Sequence, residues 1–249
     1  MGQTTMPADI VWKNHIALVT GASRGIGQAI AVRLAREGIQ MIITARDAEA
    51  LQQTVTRIEK DGGTAVAIPC DLAVPAQAQS LAQAAVACFG GLDILVNNAG
   101  TGLNKPVEES SEEDWDRLFA INAKAPFLLC RECLPALKLS KRPTIINIGS
   151  VVGIKGYYRQ ALYTASKHAL MGFTKVLAEE AQAFGIRVHA INPGGVNTSL
   201  ITQMRPDLDP AQLIQPEEIA EIVWFLLTHR GNGILDDIHV RRASGSPWY

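Results

Sequence analysis

Ile16-Ala17-Leu18-Val19-Thr20-Gly21-Ala22-Ser23-Arg24-Gly25-Ile26-Gly27 opens as a short apolar run and closes in three glycines. Ile26, Ile30 and Leu34 then recur four apart, the apolar stripe of an amphipathic helix. The stretch therefore reads as strand, loop, helix. Gly38 stops the helix and Met41-Ile42-Ile43-Thr44 supplies a second buried strand, so the opening is a βαβ unit whose crossover is expected to be right-handed.

The same alternation continues along the chain. Ala65-Val66-Ala67-Ile68, Ile94-Leu95-Val96, Thr144-Ile145-Ile146-Asn147-Ile148, Val188-His189-Ala190-Ile191 and Ile238-His239-Val240 are the further strand candidates, with helical segments between them. Ser111 and Asp114 have the spacing of a capping box, which starts a helix through Trp115 and Leu118 and places Asn122 within it or near its end. Continuous apolar strands separated by helices predict an α/β fold with one Rossmann-type, doubly wound parallel sheet covered by helices on both faces. Ligands of such sheets sit beyond the carboxyl ends of the strands. At 249 residues and 47% hydrophobic content, with no linker, repeat or low-complexity tract, the expectation is a single dinucleotide-binding and catalytic domain over residues 1–249. A lid or substrate loop is expected at about 198–215.

Composition excludes several classes of partner. The formal charge of -1 gives no global reason to bind a polyanion, and Arg241-Arg242 and Lys141-Arg142 are too small to change that, so no nucleic acid is expected. Met1 to Lys13 is mixed and polar, and no segment has the roughly 18 uninterrupted apolar residues of a membrane span. A cytoplasmic protein without a membrane partner is expected. The four cysteines, at 70, 88, 130 and 133, include a CxxC without a second ligand pair, and the five histidines lack HExxH or HxxEH spacing. Cys130 and Cys133 read as small apolar side chains on one helix face, and no metal is expected.

Tyr163-Thr164-Ala165-Ser166-Lys167 carries the candidate chemistry. In a helix, Tyr163 and Lys167 share one face, so phenol and ammonium can enter one cleft. The expected effect of the cation is to lower the phenol pKa towards neutrality, where it exchanges a proton with a substrate oxygen. Ser150 lies upstream. In the glycine loop, Gly21, Gly25 and Gly27, with Ser23, Arg24 and Ile26 between them, let backbone amides and a helix N-terminus approach a pyrophosphate. The cofactor choice turns on the end of the second strand, where an acid would hold the ribose hydroxyls of NAD. Arg46 stands there, with Arg24 able to approach the same 2′-phosphate, so NADP(H) is favoured over NAD(H), although the adjacent Asp47 could serve an NAD ribose.

From about Ile16 to Thr198 these motifs, in this order, resemble the single-domain short-chain dehydrogenase/reductase family. The resemblance rests on Thr20-Gly21 with Gly25 and Gly27, Cys70-Asp71-Leu72, Asn97-Asn98-Ala99-Gly100, Asn122, Ser150, Tyr163 with Lys167, and Pro193-Gly194 with Thr198. It implies that Asp71 and Leu72 hold the adenine, that Asn98, Ala99 and Gly100 line the cofactor, and that Pro193, Gly194, Val196 and Thr198 meet the nicotinamide end. It further implies that Tyr163 protonates a carbonyl oxygen as hydride arrives at its carbon. Lys167 would hold the nicotinamide ribose, Ser150 the same carbonyl oxygen, and Asn122 a water relaying protons to Lys167.

The wording from Ile146 to Gly153 is similar to that of bacterial 3-oxoacyl-carrier-protein reductases, which nominates a β-keto thioester. Phe184 stands where those reductases usually carry an arginine that docks the carrier protein. The substrate pocket is expected to be lined by Thr101, Gly102, Val152, Gly153, Tyr157 and Gly195; in a helix, Leu200, Met204 and Leu208 would form an apolar stripe lying over the substrate or packed on the protein itself. Arg159 and Gln160 could meet a substrate anion. The tail from Val240-Arg241-Arg242 to Trp248-Tyr249 departs from the acid and two glycines that end many members. A homodimer or homotetramer is expected through helices around 112–138 and 161–184, with Trp248 and Tyr249 anchoring a subunit contact or folding back. The alternatives to a 3-oxoacyl-like carbonyl reductase are a non-catalytic nicotinamide-binding sensor or scaffold, or an enzyme of a sugar, polyol or other small ketone using NAD(H). An epimerase or dehydratase would need a substrate domain for which 249 residues leave little room.

Overall fold

The computed structural model describes residues 12–247; the stretch before Trp12, and Trp248 and Tyr249 with their suggested contact, lie outside the described residues. Seven strands form one sheet: β1 (Ile16–Thr20), β2 (Gln40–Thr44), β3 (Thr64–Ala67), β4 (Ile94–Asn97), β5 (Thr144–Ile148), β6 (Arg187–Pro193) and β7 (Asp237–Val240). Their order is β3-β2-β1-β4-β5-β6-β7 and every neighbouring pair is parallel. The order reverses between β1 and β4, which opens a crevice at their carboxyl ends.

The strands read as continuous apolar runs because both faces of the sheet are covered. Val19, Ile43, Val96 and Ile146 pack under α1 (Gly25–Ala35), α2 (Ala48–Lys60) and α8 (Pro216–Thr228). Their strand neighbours Leu18, Ile42, Leu95 and Ile145 point the other way, under α3 (Pro75–Phe89), α5 (Ala125–Leu137) and α6 (Ala161–Gln182). Alternate residues thus serve opposite cores, and burying each such side chain contributes roughly 1.5–3 kcal/mol. Cys130 and Cys133 belong to the second core, and burial raises both thiols, Cys133 to about 12. Among the described residues no group of three or more His, Cys, Asp or Glu could hold a metal ion, and no helix is long and apolar enough to cross a membrane.

Two local features refine the sequence-based boundaries. The capping box forms, with Ser111 Oγ accepting from Asp114 N at 3.1 Å and Asp114 Oδ2 from Ser111 N at 3.2 Å, and it starts α4 (Glu112–Phe119). That helix then widens into a π-helical turn over Ala120–Lys124 before α5 begins. Pro126 explains the widening, because its ring would crowd the carbonyl of Asn122 four residues earlier and it has no N–H to give to it. The expected lid stripe is shorter than a full i, i+8 run. α7 spans Ser199–Met204 and stops where Pro206 turns Arg205 to φ -141°, so Leu208 follows in a non-helical segment.

Candidate active site

A cleft of about 980 Å³ runs along the carboxyl ends of the strands, from β2 and β3 to β6 and β7. Its floor at the centre is the glycine loop. Gly21 takes a left-handed φ of 66°, which glycine adopts without steric cost. Thr20 Oγ1 accepts from the amides of Asn98 and Ala99, each at 2.9 Å, while Asn98 Nδ2 donates to the carbonyls of Thr20 at 2.8 Å and Gly21 at 3.3 Å. Asn98 therefore staples the loop after β1 to the end of β4. Gly21, Ser23, Arg24, Gly25 and Ile26 line the cleft, whereas Gly27 lies beneath it. A Cβ on Gly27 would collide with the Gly21 carbonyl oxygen and the Asn98 amide, so this glycine serves close packing and not the cleft wall.

The start of α1 is suited to an anionic ligand. No side chain caps it and its first turn contains no acid, which leaves its leading amides facing the cleft. At the β2 end, Arg24 and Arg46 line the wall and form no ion pair among the described residues. Asp47, in contrast, accepts the Ala50 amide at 3.0 Å as the N-cap of α2. Asp71 and Leu72 also line this end, Asp71 accepting the Ala73 amide at 3.0 Å. Ala99 and Gly100 lie at the centre, and Pro193, Gly194, Val196 and Thr198 beyond β6.

Ser150, Tyr163 and Lys167 meet in the middle of the cleft, exposed by only 9%, 8% and 3%. Ser150 follows β5, and its amide donates to Asn192 Oδ1 at 3.0 Å, while its hydroxyl accepts from Val152 N at 3.3 Å. Asn192 in turn donates to Asp237 Oδ1 at 2.6 Å, tying β5 to β6 and β7. Tyr163 and Lys167 share a face of α6, which is anchored by a buried chain of hydrogen bonds. In it Asn97 Nδ2 donates to Asn147 Oδ1 and Asn147 Nδ2 donates to Thr174 Oγ1, both at 2.8 Å. Asn97 and Asn147 stand within the quoted motifs, but neither has a role assigned from the sequence. Their signal was an amide-bearing residue inside otherwise apolar strands.

The protonation pattern departs from the expectation that Lys167 lowers the Tyr163 pKa. Burial raises the phenol above its ordinary 10.0, and the hydrogen bond with Ser150 opposes that rise. The Lys167 ammonium donates instead to the Ile148 carbonyl at 2.9 Å, and burial lowers it from 10.5 to about 8. The ammonium is therefore kept below about pH 8 and lost above it, whereas burial moves the phenol the other way, above its ordinary value. We expect kcat/KM for the nicotinamide cofactor to fall above about pH 8, with the limb shifted upward in Lys167→Arg. A pH profile of initial rates at subsaturating cofactor checks this, and a profile flat through pH 9 to 10 would refute it.

Asn122 is fully buried and does not line the cleft. Its Oδ1 accepts from Thr101 N at 2.9 Å, and its Nδ2 donates to Thr101 O at 2.8 Å and Ser166 Oγ at 3.0 Å. It sits behind the site and locks the loop after β4 to α6. Of the expected substrate wall, Thr101, Gly102, Val152, Tyr157 and Gly195 line the cleft. Gly153 does not, because it packs against Met171 and the Lys167 backbone. Arg159 and Gln160 separate: Gln160 is buried in the cleft wall, while Arg159 takes a φ of 63° and its carbonyl accepts from Lys105 N at 2.7 Å outside it. Leu200 and Met204 pack with Leu118, Val152 and Tyr163. Phe184 is half-exposed, with the Lys138 ammonium 3.6 Å from its ring centroid.

The family model described as short chain dehydrogenase matches residues 15–209. The chain belongs to this family. It is accordingly an oxidoreductase of the alcohol and carbonyl pair. Among curated relatives, the cyclohexanol dehydrogenase of an Acinetobacter strain is 35% identical over 87% of this chain and 89% of its own. A Streptomyces violaceoruber protein named as a ketoacyl reductase of the granaticin polyketide synthase is 42% identical over 76% of this chain and 71% of its own. Among solved structures, a metagenomic short-chain oxidoreductase in complex with NADP superposes with TM-score 0.83, at 36% identity over 95% of this chain and 100% of its own. The Thermococcus sibiricus alcohol dehydrogenase, complexed with 5-hydroxy-NADP, gives 0.87 at 26% identity with the same coverage. The Rossmann-type parallel sheet of this short-chain dehydrogenase is that of these neighbours.

Proposed function

We propose that this short-chain dehydrogenase interconverts a carbonyl compound and a secondary alcohol with NADP(H), in one catalytic domain, in the manner of a 3-oxoacyl reductase. The observation that carries the reading is the convergence of Ser150, Tyr163 and Lys167 in one cleft whose other end presents Arg24 and Arg46. The residues fit the cofactor: the uncapped N-terminus of α1 offers amides to a pyrophosphate, and two arginines that form no ion pair among the described residues suit a 2′-phosphate. When bound, NADPH supplies the hydride.

Each side chain then has one task. Tyr163, held protonated by burial, donates its phenolic proton to the carbonyl oxygen as negative charge grows there. Ser150 donates a hydrogen bond to the same oxygen and fixes the carbonyl's orientation. Lys167 donates to the cofactor's ribose hydroxyls and keeps positive charge near the phenol. Asn122 is a positioning residue; its carbonyl, which Pro126 cannot engage, is the acceptor for a water that resupplies protons to Lys167.

The wording around Ser150 and the relative named as a ketoacyl reductase support a β-keto substrate. Phe184 beneath Lys138 offers no arginine for carrier-protein docking. Exposed Trp115, Phe127 and Val176 on α4 to α6 support a homodimer or homotetramer. We place the protein in the cytoplasm.

The test is oxidation of NADPH and NADH with a carbonyl panel that includes a β-keto thioester and cyclohexanone. NADPH-dependent turnover is expected; use of NADH alone, or cofactor binding without turnover of any carbonyl, would overturn the reading. In Arg46→Ala, loss of a bidentate charge-assisted contact is expected to lower kcat/KM for NADPH by about 10- to 100-fold, with NADH little affected. Equal losses for both cofactors would remove Arg46 from 2′-phosphate recognition.

A further inference from the structure

The β6–β7 end of the cleft is strongly cationic. Arg205, from the segment after β6, and Arg241 and Arg242, which follow β7, line it, with Arg117 and Lys155 elsewhere on the cleft wall, whereas the carboxylates lining the cleft among the described residues, Asp47 and Asp71, stand at the β2–β3 end. Such an imbalance within a walled cleft concentrates anions.

Two of these arginines are held in place by the segment after β7. Arg241 Nη1 donates to the carbonyls of Arg242 at 3.1 Å, Ala243 at 3.3 Å and Gly245 at 3.0 Å, which closes a turn. Gly194 N donates to Val240 O at 2.7 Å and Gly245 N to Arg242 O at 2.9 Å, so the turn is fastened to the wall of the cleft. Arg242 consequently points inward and is partly buried. Its Cδ lies 3.6 Å from the position of a Cβ on Gly195, the same distance as Leu208 Cδ1, so its stem runs beneath the lid. It forms no ion pair among the described residues.

The lid shows that this corner accepts a carboxylate. Asp207 receives Arg205 Nε at 2.8 Å and Nη2 at 2.6 Å in a forked pair. Its carboxyl is held below its ordinary value first by that hydrogen bond and also by the charges of Arg205 and Arg242. Arg205 and Arg242 thus act on one carboxylate at the lid edge.

We propose that Arg242, seconded by Arg205, is a specificity determinant that selects carbonyl substrates carrying a carboxylate or phosphate group. This rests on the carbonyl-reductase reading of the same cleft. The chemistry is that of a planar guanidinium forking two oxygens of an anion, which a neutral ester cannot supply with equal strength.

The test compares matched probes: 3-oxobutanoate and 4-oxopentanoate with their methyl esters, and dihydroxyacetone phosphate with dihydroxyacetone. Dissociation constants are measured for the protein and its NADP⁺ complex, alongside kcat/KM with NADPH, in wild type, Arg242→Gln and Arg242→Lys. In wild type the anionic member of at least one pair should be favoured roughly 10-fold, the value of one charge-assisted contact. The pair that shows the preference separates carboxylate from phosphate. The ratio should approach one in Arg242→Gln and recover only in part in Arg242→Lys, which restores the charge but not the fork, and NADPH affinity monitors the fold of each variant. A ratio near one in wild type for every pair, no binding of any anionic probe, or a preference unchanged in Arg242→Gln overturns the proposal. Anion-selective binding without NADPH turnover would instead sink the reductase reading and leave the role of Arg242 standing.

Discussion

Tyr163→Phe is expected to lower kcat for carbonyl reduction by about 10²- to 10⁴-fold, the usual contribution of a positioned proton donor. The substitution removes one hydroxyl from a ring that is 8% exposed and packed with Leu118, Val152 and Met204, so the fold of α6 and the cofactor wall should persist. NADPH binding, read by fluorescence titration, should therefore be retained while single-turnover oxidation slows. Ser150 would keep its backbone anchor on Asn192, so the loss reports the proton and not a collapsed loop. Turnover within a few-fold of wild type would place the acid elsewhere. Loss of cofactor binding together with activity would show instead that the phenol holds the cleft together.

The second large effect is expected at Gly27→Ala. A Cβ there would collide with the Gly21 carbonyl and the Asn98 amide, and neither can retreat cheaply. The carbonyl belongs to the left-handed turn at Gly21, and Asn98 is held by its bonds to Thr20 and Gly21. Overpacking of this kind typically costs about 1–3 kcal/mol, or a Tm lower by roughly 2–4 °C for each kcal/mol in a domain of this size. The function should suffer more than the stability, since relief of the clash must move the loop that lines the cofactor wall. We expect NADPH to lose its stabilising effect in thermal unfolding, while the variant still unfolds cooperatively at a reduced Tm. An unchanged Tm with normal NADPH protection would mean that the loop has room the geometry denies.

Most of the architecture was legible beforehand because its causes are local. The strands announced themselves as apolar runs, since each feeds Leu18-type and Val19-type neighbours into opposite cores. Ser111 and Asp114 announced a helix start through two reciprocal bonds within four residues. The π-helical turn was missed although its cause, Pro126, was in view, because a proline's clash is felt four residues upstream in a helix that first had to be recognised. The lid stripe was overextended for a related reason: Pro206 ends α7 before Leu208 can join its face.

The candidate site divides along the same line. Spacing alone placed Tyr163 and Lys167 on one helical face, the glycines at a strand-to-helix turn, and Arg46 at the end of β2, because these relations depend on residues close in the chain. The tertiary structure alone decided the protonation of Tyr163 and Lys167, which follows from burial and from a carbonyl 19 residues away. It also set Asn122 behind the cleft, Gly27 beneath it and Arg242 within it. Those outcomes come from contacts between segments distant in sequence, here Thr101 and Ser166 on Asn122, Asn98 on Gly27, and Gly194-Gly195 against the turn after β7. Local periodicity carries no information about which distant atoms share a buried space, and it is that sharing which decides charge, access and the direction in which a side chain acts.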